Sequence, residues 1–293
     1  MPELSVILPV RNGMPHLRQA VESTLVALPR DAELVVWDDG STDGGPDWLL
    51  NQEAAQLRVI RSQSSCGVAA SLNKLAAATD SEFIARMDAD DVCLPDRFVR
   101  QLNRLGKCDL LFSSVDLFSG RDDYVGRELP GVLRSAAMAL HLAVGNVLRH
   151  PTLFARRKAL DDLGWYSEET PAEDYDLWLR AVASGARVER SAFQGIRYRM
   201  HENQISSSSP WSRLSTDKVL DESYASLVSP IAQGLSGDDY SSLRLAAVSA
   251  RRGHVDPELW SYFVMSLKRA ALKLDPLSQL QLRLRIIRRN RSL

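Results

Sequence analysis

The chain has 293 residues, of which 45% are hydrophobic and 25% charged, and its 36 basic and 37 acidic side chains leave a formal net charge of −1. This is the composition of an ordinary globular protein, and it excludes a disordered chain and a strongly basic nucleic-acid binder. No apolar run reaches the roughly 18–20 residues of a membrane-spanning helix, and the N-terminus does not resemble a secretory signal peptide. The three cysteines form no CxxC pair, so we expect reduced thiols in a cytosolic protein.

The first 110 residues alternate strand patterns with helix patterns. Short runs of branched apolar residues predict strands over residues 4–10, 34–37, 57–60 and 83–87. Apolar residues spaced three to four apart predict intervening helices from residue 15 and over residues 46–55, 68–78 and 95–105. Repeated units of this kind predict an α/β domain with a mostly parallel, Rossmann-like central sheet flanked by helices.

The rest of the chain is less regular. Residues 110–118, 152–155 and 193–200 read as strands, residues 133–144 and 173–183 as helices, and residues 119–130 as a polar loop. The segment Ser206-Ser-Ser-Ser-Pro210 is typical of a linker. Beyond residue 213, periodic stretches rich in Ala and Leu predict helices throughout.

The predicted strand at residues 34–37 leads directly into Asp38-Asp39-Gly40. In parallel sheets, ligands bind beyond the carboxyl ends of the strands, and an acidic residue there accepts hydrogen bonds from a ribose or a base edge. The same residue types also favour turns, so this pattern alone equally allows a solvated turn before the next helix.

A second acidic cluster, Asp88-Ala89-Asp90-Asp91, follows the predicted strand at residues 83–87. Three carboxylates within four residues repel one another unless a cation is present, and Mg²⁺ and Mn²⁺ take such ligands together with substrate phosphates. The alternative is an acidic loop that caps the helix at residues 95–105. Neither a Walker loop nor a GxGxxG sequence occurs, which disfavours a P-loop NTPase and a nicotinamide dehydrogenase.

Four segments resemble a known family in their order and spacing. They are Ser5-Val-Ile-Leu-Pro-Val-Arg-Asn12, Asp38-Asp-Gly-Ser-Thr-Asp43, Asp88-Ala-Asp-Asp91 and Glu173-Asp-Tyr-Asp-Leu-Trp178. The chain resembles the inverting family-2 glycosyltransferases with the GT-A fold, of the non-processive bacterial type, over residues 3–205. One departure is Gly13-Met14, where the family usually has an acidic residue.

The resemblance implies how a nucleotide-sugar donor would be bound. Pro9 and Asp39 match the positions that contact the uridine, and Asp88 matches the one that reaches the ribose. Arg11 and Glu173 are expected to contact substrate as well.

The resemblance also implies a metal ligand and a general base. Asp90 would bind the divalent ion, Mn²⁺ or Mg²⁺, which would offset charge on the leaving phosphate. Asp174 would accept the proton of the acceptor hydroxyl, and its place at a helix start suits a carboxylate. His201 would complete the metal shell or contact the pyrophosphate, with a plain surface histidine as the alternative.

The C-terminus carries five arginines within residues 283–291, interleaved with Leu and Ile. A basic amphipathic end of this kind can adsorb to anionic lipid headgroups. The alternative is a solvated helix end, where arginine complements the negative pole of the helix dipole.

These observations predict a GT-A domain over residues 1–205 and a helical extension over residues 211–293. Within the first, residues 1–110 would form the nucleotide-sugar half and residues 111–205 the acceptor half. The expected activity is metal-dependent transfer of one sugar from a nucleotide sugar, UDP-linked by preference, to a glycan or a lipid-linked glycan in cell-surface polysaccharide assembly. The Gln-x-x-Arg-Trp element of processive members is absent, which favours single-sugar addition.

Two other functions stay open at this point. One is a metal-dependent nucleotidylyltransferase, although the expected lysine-rich loop after the first strand is missing. The other is a non-catalytic paralogue that binds nucleotide or glycan. We expect no nucleic-acid partner, and a cytoplasmic protein with peripheral contact to an anionic membrane through its C-terminal arginines.

Overall fold

A computed structural model of the chain describes residues 2–119, 123–128, 131–200, 216–248 and 256–290. The chain divides into two compact units. The first takes in residues 1–132, 148–166 and 190–207, and the second takes in residues 133–147, 167–189 and 208–293. The domain boundaries expected from the sequence stay a prediction.

The described strands form one sheet, which lies in the first unit except for residues 188 and 189, the first two of the last strand. The strands are β1 (Leu4–Val10), β2 (Ala32–Asp38), β3 (Leu57–Arg61), β4 (Phe83–Arg86), β5 (Val92–Cys93), β6 (Leu110–Ser119), β7 (Tyr124–Arg127), β8 (Phe154–Arg156) and β9 (Val188–Met200). Their order is β3-β2-β1-β4-β8-β6-β9-β5, and β7 pairs with β6.

Helices occur in both units. They are α1 (Leu17–Ala27), α2 (Gly45–Leu50), α3 (Val68–Ala77), α4 (Arg97–Leu105), α5 (Ser135–Ala143), α6 (Arg157–Asp162), α7 (Glu173–Ala183), α8 (Lys218–Val228), α9 (Gly237–Val248), α10 (Pro257–Ala271) and α11 (Pro276–Asn290). No helix among the described residues is both long and apolar enough to span a bilayer.

The sheet has a parallel side and an antiparallel side. Strand β1 runs parallel to β2 and β4, and β2 runs parallel to β3. Leu4, Val6, Ile7 and Leu8 of β1 are at most 5% exposed, because helices cover both faces of a parallel sheet. From β4 onward, the β4–β8, β8–β6 and β5–β9 pairings are antiparallel. The α/β class predicted from the sequence is therefore confirmed.

The core of the second unit is helical. Helix α7 packs against α5 and α8 through its buried face, which includes Trp178. Two tyrosine hydroxyls cap carbonyl groups at the C-terminal end of α5: Tyr175 donates to the oxygen of Leu142 at 2.5 Å, and Tyr224 donates to that of Ala143 at 2.7 Å. These bonds tie α7 and α8 to the last carbonyls of α5, one of which, that of Leu142, also accepts from the backbone N–H of Gly145 at 2.9 Å.

Two local predictions are corrected. Residues 124–127, expected to be loop, form β7, where Arg127 pairs with Asp116 of β6 at 3.0 Å. The exposed sequence Tyr-Val-Gly-Arg carries no apolar alternation, so only the neighbouring strand reveals it. The strand expected over residues 152–155 begins later, at Phe154, because residues 150–152 form a 3₁₀ turn around Pro151.

Candidate active site

The loops that follow β1 and β2 interlock at the carboxyl edge of the sheet. The backbone N–H of Asp39 donates to the oxygen of Val10 at 2.8 Å, and that of Asn12 donates to Ser41 Oγ at 2.9 Å. Thr42 N–H in turn donates to Asn12 Oδ1 at 2.8 Å. Asn12 has φ of 52°, a left-handed conformation that Asn tolerates better than most side chains. These bonds hold the two loops as one surface, with Pro9 half-buried and Arg11 exposed beside it.

Asp39 is clamped by the loop that precedes α3. Its carboxylate accepts hydrogen bonds from Ser65 Oγ at 2.6 Å and from the backbone N–H groups of Cys66 and Gly67 at 2.8 and 3.0 Å. Burial opposes ionisation, but the donors from Ser65, Cys66 and Gly67 outweigh it and lower the pKa of Asp39 to about 2. Asp39 therefore carries its charge throughout the physiological pH range.

Asp38 has a different environment from its neighbour. Its side chain is fully buried, and Oδ1 accepts from the backbone N–H of Ser41 at 2.9 Å. Its Oδ2 lies 3.4 Å from Nε of Arg61 on β3. Asp38 thus closes the turn, and Asp39 is the carboxylate of the pair that faces the next loop.

The Asp88–Asp91 segment follows β4 and brings three carboxylates together. One ligand oxygen from each of Asp88, Asp90 and Asp91 lies within 4.8 Å of the others. Arg86 Nη2 contacts Asp88 Oδ1 at 2.6 Å, which anchors one end of the segment. Burial, followed by the charges of Asp90 and Asp88, raises the pKa of Asp91 well above its ordinary value. The positive charge of Arg86 opposes the mutual repulsion of the three carboxylates.

Arg199, near the end of β9, fixes this acidic segment from the other side. Its backbone N–H donates to Asp91 Oδ1, and its Nε donates to the backbone carbonyl oxygen of Asp90, both at 2.8 Å. Its Nη2 donates to Gln19 Oε1 on α1 at 2.7 Å. A buried arginine with three such bonds sets the backbone of the cluster before any ligand arrives.

The three carboxylates of Asp88, Asp90 and Asp91 suit a hard divalent cation. Mg²⁺ and Mn²⁺ prefer carboxylate oxygens, and one or two carboxylates with substrate phosphates make their usual site. Asp88 and Asp90 are half-buried and reachable, whereas Asp91 is buried and already bonded to Arg199. A cation here would also reduce the mutual repulsion of the three groups.

Asp174 lies at the start of α7 in the second unit. Its side chain is half-buried, and its Oδ2 accepts a hydrogen bond from Asn146 Nδ2 at 2.9 Å. Its Oδ1 lies 2.6 Å from the backbone nitrogen of Tyr175, whose hydroxyl is bonded to α5. The carboxylate is thus oriented from two sides while part of it remains accessible.

The neighbours of Asp174 differ from it. Asp176 is fully buried and accepts from Arg180 Nη2 at 2.8 Å and from Ser223 Oγ at 2.6 Å, so it holds α7 to α8. Glu173 is half-buried in the first turn of α7. His201 lies outside the described residues.

Comparison with known proteins bears directly on these sites. The sequence profile described as glycosyl transferase family 2 matches residues 5–164, which is more than half of the chain. The chain belongs to glycosyl transferase family 2. The match begins in β1 and includes the strand ends that carry Asp39 and the Asp88–Asp91 segment.

Curated relatives of this glycosyltransferase include proteins named for polysaccharide synthesis. It is 31% identical to EpsE of Bacillus subtilis, named as a glycosyltransferase, over 64% of this chain and 69% of that one. It is 30% identical to the succinoglycan biosynthesis protein ExoU of Rhizobium meliloti over 64% of this chain, but spans only 59% of that protein. It is 23% identical to WfaP of Escherichia coli, a UDP-Glc:α-D-GlcNAc-diphosphoundecaprenol β-1,3-glucosyltransferase, over 69% and 79% of the two chains.

Solved structures establish the fold of the glycosyltransferase. TarS of S. aureus, in complex with UDP-GlcNAc, matches with a TM-score of 0.65 over 99% of this chain and 90% of that one, at 18% identity. The mannosyltransferase PcManGT of Pyrobaculum calidifontis, with GDP-Man and Mn²⁺, matches with a TM-score of 0.59 over 98% and 80% of the two chains, again at 18% identity. The GT-A fold expected from the sequence motifs is confirmed.

Sequence reasoning missed three groups of this glycosyltransferase that the structure brings to the acidic residues. They are the Ser65–Gly67 donors to Asp39, Arg199 at the Asp88–Asp91 segment, and Asn146 at Asp174. Gly145-Asn146 and Cys66-Gly67 are readable from sequence as turn signals, yet nothing in them indicates which carboxylate they would meet.

Proposed function

We propose that this glycosyltransferase transfers one sugar from a UDP-linked donor, with inversion, to a hydroxyl of a glycan or lipid-linked glycan. The observation that carries the proposal is the cluster of Asp88, Asp90 and Asp91 at the end of a parallel strand, with ligand atoms within 4.8 Å. In an α/β sheet this is where a nucleotide ligand binds. The complexes of TarS with UDP and UDP-GlcNAc support the choice of donor.

The residues that would bind the nucleotide-sugar donor lie at the strand ends of the first unit. Pro9 would pack against the uracil, Arg11 would contact donor phosphate, and Asp88 would accept from the ribose hydroxyls. Asp39 would accept a hydrogen bond from the uridine, and its permanent charge favours that bond. The weakest existing hydrogen-bond donor to Asp39 is the Cys66 thiol, whose Sγ lies 3.2 Å from Oδ1. A hydrogen-bond donor of the ligand would therefore replace the thiol at Oδ1 most easily.

A divalent ion, Mn²⁺ or Mg²⁺, would supply compensation for the negative charge that develops on the leaving diphosphate. Asp90 would hold it, together with donor phosphate oxygens and His201. Arg199 keeps the backbone of the Asp88–Asp91 segment in place, so Asp90 is presented without reorganisation.

Asp174 would act as the general base. An acceptor hydroxyl is a poor nucleophile near neutral pH, and its proton must leave as its oxygen attacks the anomeric carbon. The bond from that carbon to the β-phosphate oxygen breaks as the new bond forms, UDP leaves with the electron pair, and the proton passes to Asp174. Asn146 orients the carboxylate, and Glu173, one residue earlier on α7, would contact the acceptor.

The biological setting proposed is assembly of a cell-surface polysaccharide on the cytoplasmic side of a membrane. The names of ExoU and WfaP, which refer to succinoglycan biosynthesis and to a diphosphoundecaprenol-linked acceptor, support this setting. A lipid-linked acceptor would bring the enzyme to the bilayer surface.

Titration calorimetry with UDP, in Mn²⁺ and in EDTA, tests the donor and the metal together. We expect UDP to bind more tightly with Mn²⁺ and more tightly than GDP does. A panel of nucleotide sugars, assayed for release of free UDP with a diphosphate-linked GlcNAc acceptor, then identifies the sugar. Pyrophosphate release from UTP and a sugar phosphate would instead indicate a nucleotidylyltransferase, and metal-independent UDP binding without turnover would indicate a non-catalytic paralogue.

A further inference from the structure

Helices α10 and α11 of the second unit expose an unusual number of large apolar side chains. These two helices pack against each other and against α5. The exposed fractions are 45% for Tyr262 and 56% for Met265 on α10, and 71% for Leu272, which directly follows it. On α11 they are 48% for Leu277, 53% for Leu280, 48% for Leu284 and 49% for Ile287.

Helix α11 is apolar on two opposite faces. The inner face buries Leu282 and Ile286, which are 1% and 4% exposed. The outer face carries Leu277, Leu280, Leu284 and Ile287, at successive spacings of three, four and three residues, which places them in one stripe along the helix. Packing inside the unit explains the inner face but not the outer stripe.

Arginines border this outer stripe on both sides. With 3.6 residues per turn, Arg283 lies about 80° from the centre of the stripe in one direction and Arg288 about 60° in the other. Both side chains are exposed. Arg285 is different, because it is half-buried and its Nη2 donates to the Gly145 oxygen at 2.7 Å, so it belongs to the fold.

A groove between the two helices extends the apolar surface. It encloses about 610 Å³ and is lined by both helices. Met265 of α10 and Leu272 just after it line the groove opposite Ile287 of α11. Lys268 and Arg283 add positive charge among these apolar groups. The stripe and the groove together form what we call the α10–α11 face.

The charge of this region is opposite to that of the rest of the chain. Residues 256–290 contain seven basic and three acidic side chains, a net charge of +4, whereas the whole chain carries −1. Helix α11 itself contains no acidic residue. A second copy of the chain that docked through its own α10–α11 face would therefore oppose arginine with arginine, which is unfavourable.

We propose that the α10–α11 face docks on the surface of an anionic lipid bilayer. The four apolar residues of the stripe would enter the headgroup–acyl boundary while α11 lies in the plane of the membrane, as interfacial helices do. Arg283 and Arg288, at its borders, would meet lipid phosphates, which guanidinium groups bind well. The remaining chain, net negative, would be repelled by the same surface, so attachment is confined to this face.

Flotation of the full chain with lipid vesicles tests the proposal without donor, metal or acceptor, so its outcome is independent of glycosyl transfer. We expect binding to vesicles of phosphatidylcholine mixed with phosphatidylglycerol, little binding to phosphatidylcholine alone, and loss of binding as salt rises. The double variant Leu284→Ser/Ile287→Ser should reduce anionic-vesicle binding more than about tenfold. The charge variant Arg283→Gln/Arg288→Gln should reduce it about fivefold for each charge removed.

Matched controls exclude general effects of composition. Val26→Ser/Leu50→Ser removes two exposed apolar side chains of the first unit, and Arg104→Gln/Lys107→Gln removes two exposed charges there. Both should bind anionic vesicles like the unchanged protein, and circular dichroism should show that every variant is folded. The proposal is overturned if the unchanged protein binds no vesicles, if it binds neutral vesicles equally, or if the α10–α11 variants bind as well as the controls. A dimer in solution that Leu284→Ser/Ile287→Ser converts to a monomer, without any vesicle binding, would assign the face to a second copy instead.

Discussion

The candidate site carboxylates of the first unit and Asp174 of the second unit are held in different ways. Asp39 is buried and receives its donors from Ser65–Gly67, a loop distant in sequence, and Arg199 fixes the backbone of the segment that carries the half-buried Asp90. Asp174 stands half-buried at the start of a helix, with Asn146 as its side-chain donor. The two units therefore prepare carboxylates for two kinds of task.

This difference follows from what each carboxylate has to do. A group that binds a nucleotide or a metal ion benefits from being fixed and permanently charged, because reorganisation on binding would reduce affinity. A general base must lose and regain its charge during turnover, and it must be reachable by the acceptor hydroxyl. The predictions below test whether the first unit acts in binding and the second in turnover.

The largest effect is expected for Asp90→Ala. Without this carboxylate the metal site loses its proposed protein ligand, so transfer should become undetectable and UDP affinity should no longer depend on Mn²⁺. Calorimetry with UDP in Mn²⁺ and EDTA measures this. Asp96→Ala, an exposed carboxylate just beyond the cluster, is the control and should keep Mn²⁺-dependent binding. Undiminished Mn²⁺ dependence in a folded Asp90→Ala protein would refute the assignment.

Asp174→Asn should separate turnover from binding. The amide keeps the volume of the side chain but cannot take the acceptor proton, so kcat should fall by about 10²–10⁴ while UDP affinity stays unchanged. Steady-state kinetics and calorimetry measure the two quantities. Glu169→Gln, an exposed acid shortly before α7, should behave like the unchanged enzyme. Normal turnover by Asp174→Asn would remove Asp174 from the mechanism.

Asn146→Ala should have a smaller effect on the same step. Loss of one neutral amide donor, with an energy of about 1 kcal/mol, should lower kcat about fivefold by loosening the orientation of Asp174. Because Asn146 contacts the proposed base Asp174 and none of the residues proposed to bind the nucleotide sugar, KM for the nucleotide sugar should not change. A loss of activity that appears only in KM, or equally in a thermally destabilised protein, would show that Asn146 has no positioning role.

Asp39→Asn should weaken UDP binding and reveal the pH dependence of the first unit. The folded-state pKa of about 2 lies below the ordinary 3.8, so the ionised form stabilises the fold above pH 4 and this contribution is lost as pH falls toward 2. The shift corresponds to about 2 kcal/mol at neutral pH. Chemical denaturation at several pH values should show the gap between Asp39→Asn and the unchanged protein closing in that range. A gap as large at pH 2 as at pH 7 would mean that the charge is not its cause; Asp31→Asn, an exposed carboxylate, should show no gap at any pH.

Local patterns predicted the parallel side of the sheet well. The strand predicted over residues 4–10 is β1 residue for residue, and the helix predicted over residues 173–183 is α7. Both patterns arise locally: a strand buried on both faces must be apolar throughout, and a helix buried on one face must repeat every three to four residues. The acidic strand ends were equally visible, because the carboxylates follow directly where an apolar run stops.

The antiparallel side and the partners of the acidic residues depend on tertiary structure. Nothing in the sequence of β6, β8 and β9 specifies which strand pairs with which, because backbone hydrogen bonding is indifferent to side chains. Arg199 meets Asp91 across 108 residues and Asn146 meets Asp174 across 28, so each contact exists only once the chain has closed.

The C-terminal helix α11 shows most clearly what the sequence predicts and what only the tertiary structure decides. Its run of Leu, Ile and Arg was enough to predict a basic amphipathic helix. Only the packed structure distinguishes Arg285, which is half-buried, from Arg283 and Arg288, which are exposed at the borders of the stripe. The sequence alone determined the local elements and the acidic groups, since local periodicity and charge are enough to predict them. The tertiary structure decided which face of each element is buried and which donor each carboxylate receives, since both depend on contacts between segments far apart in the chain.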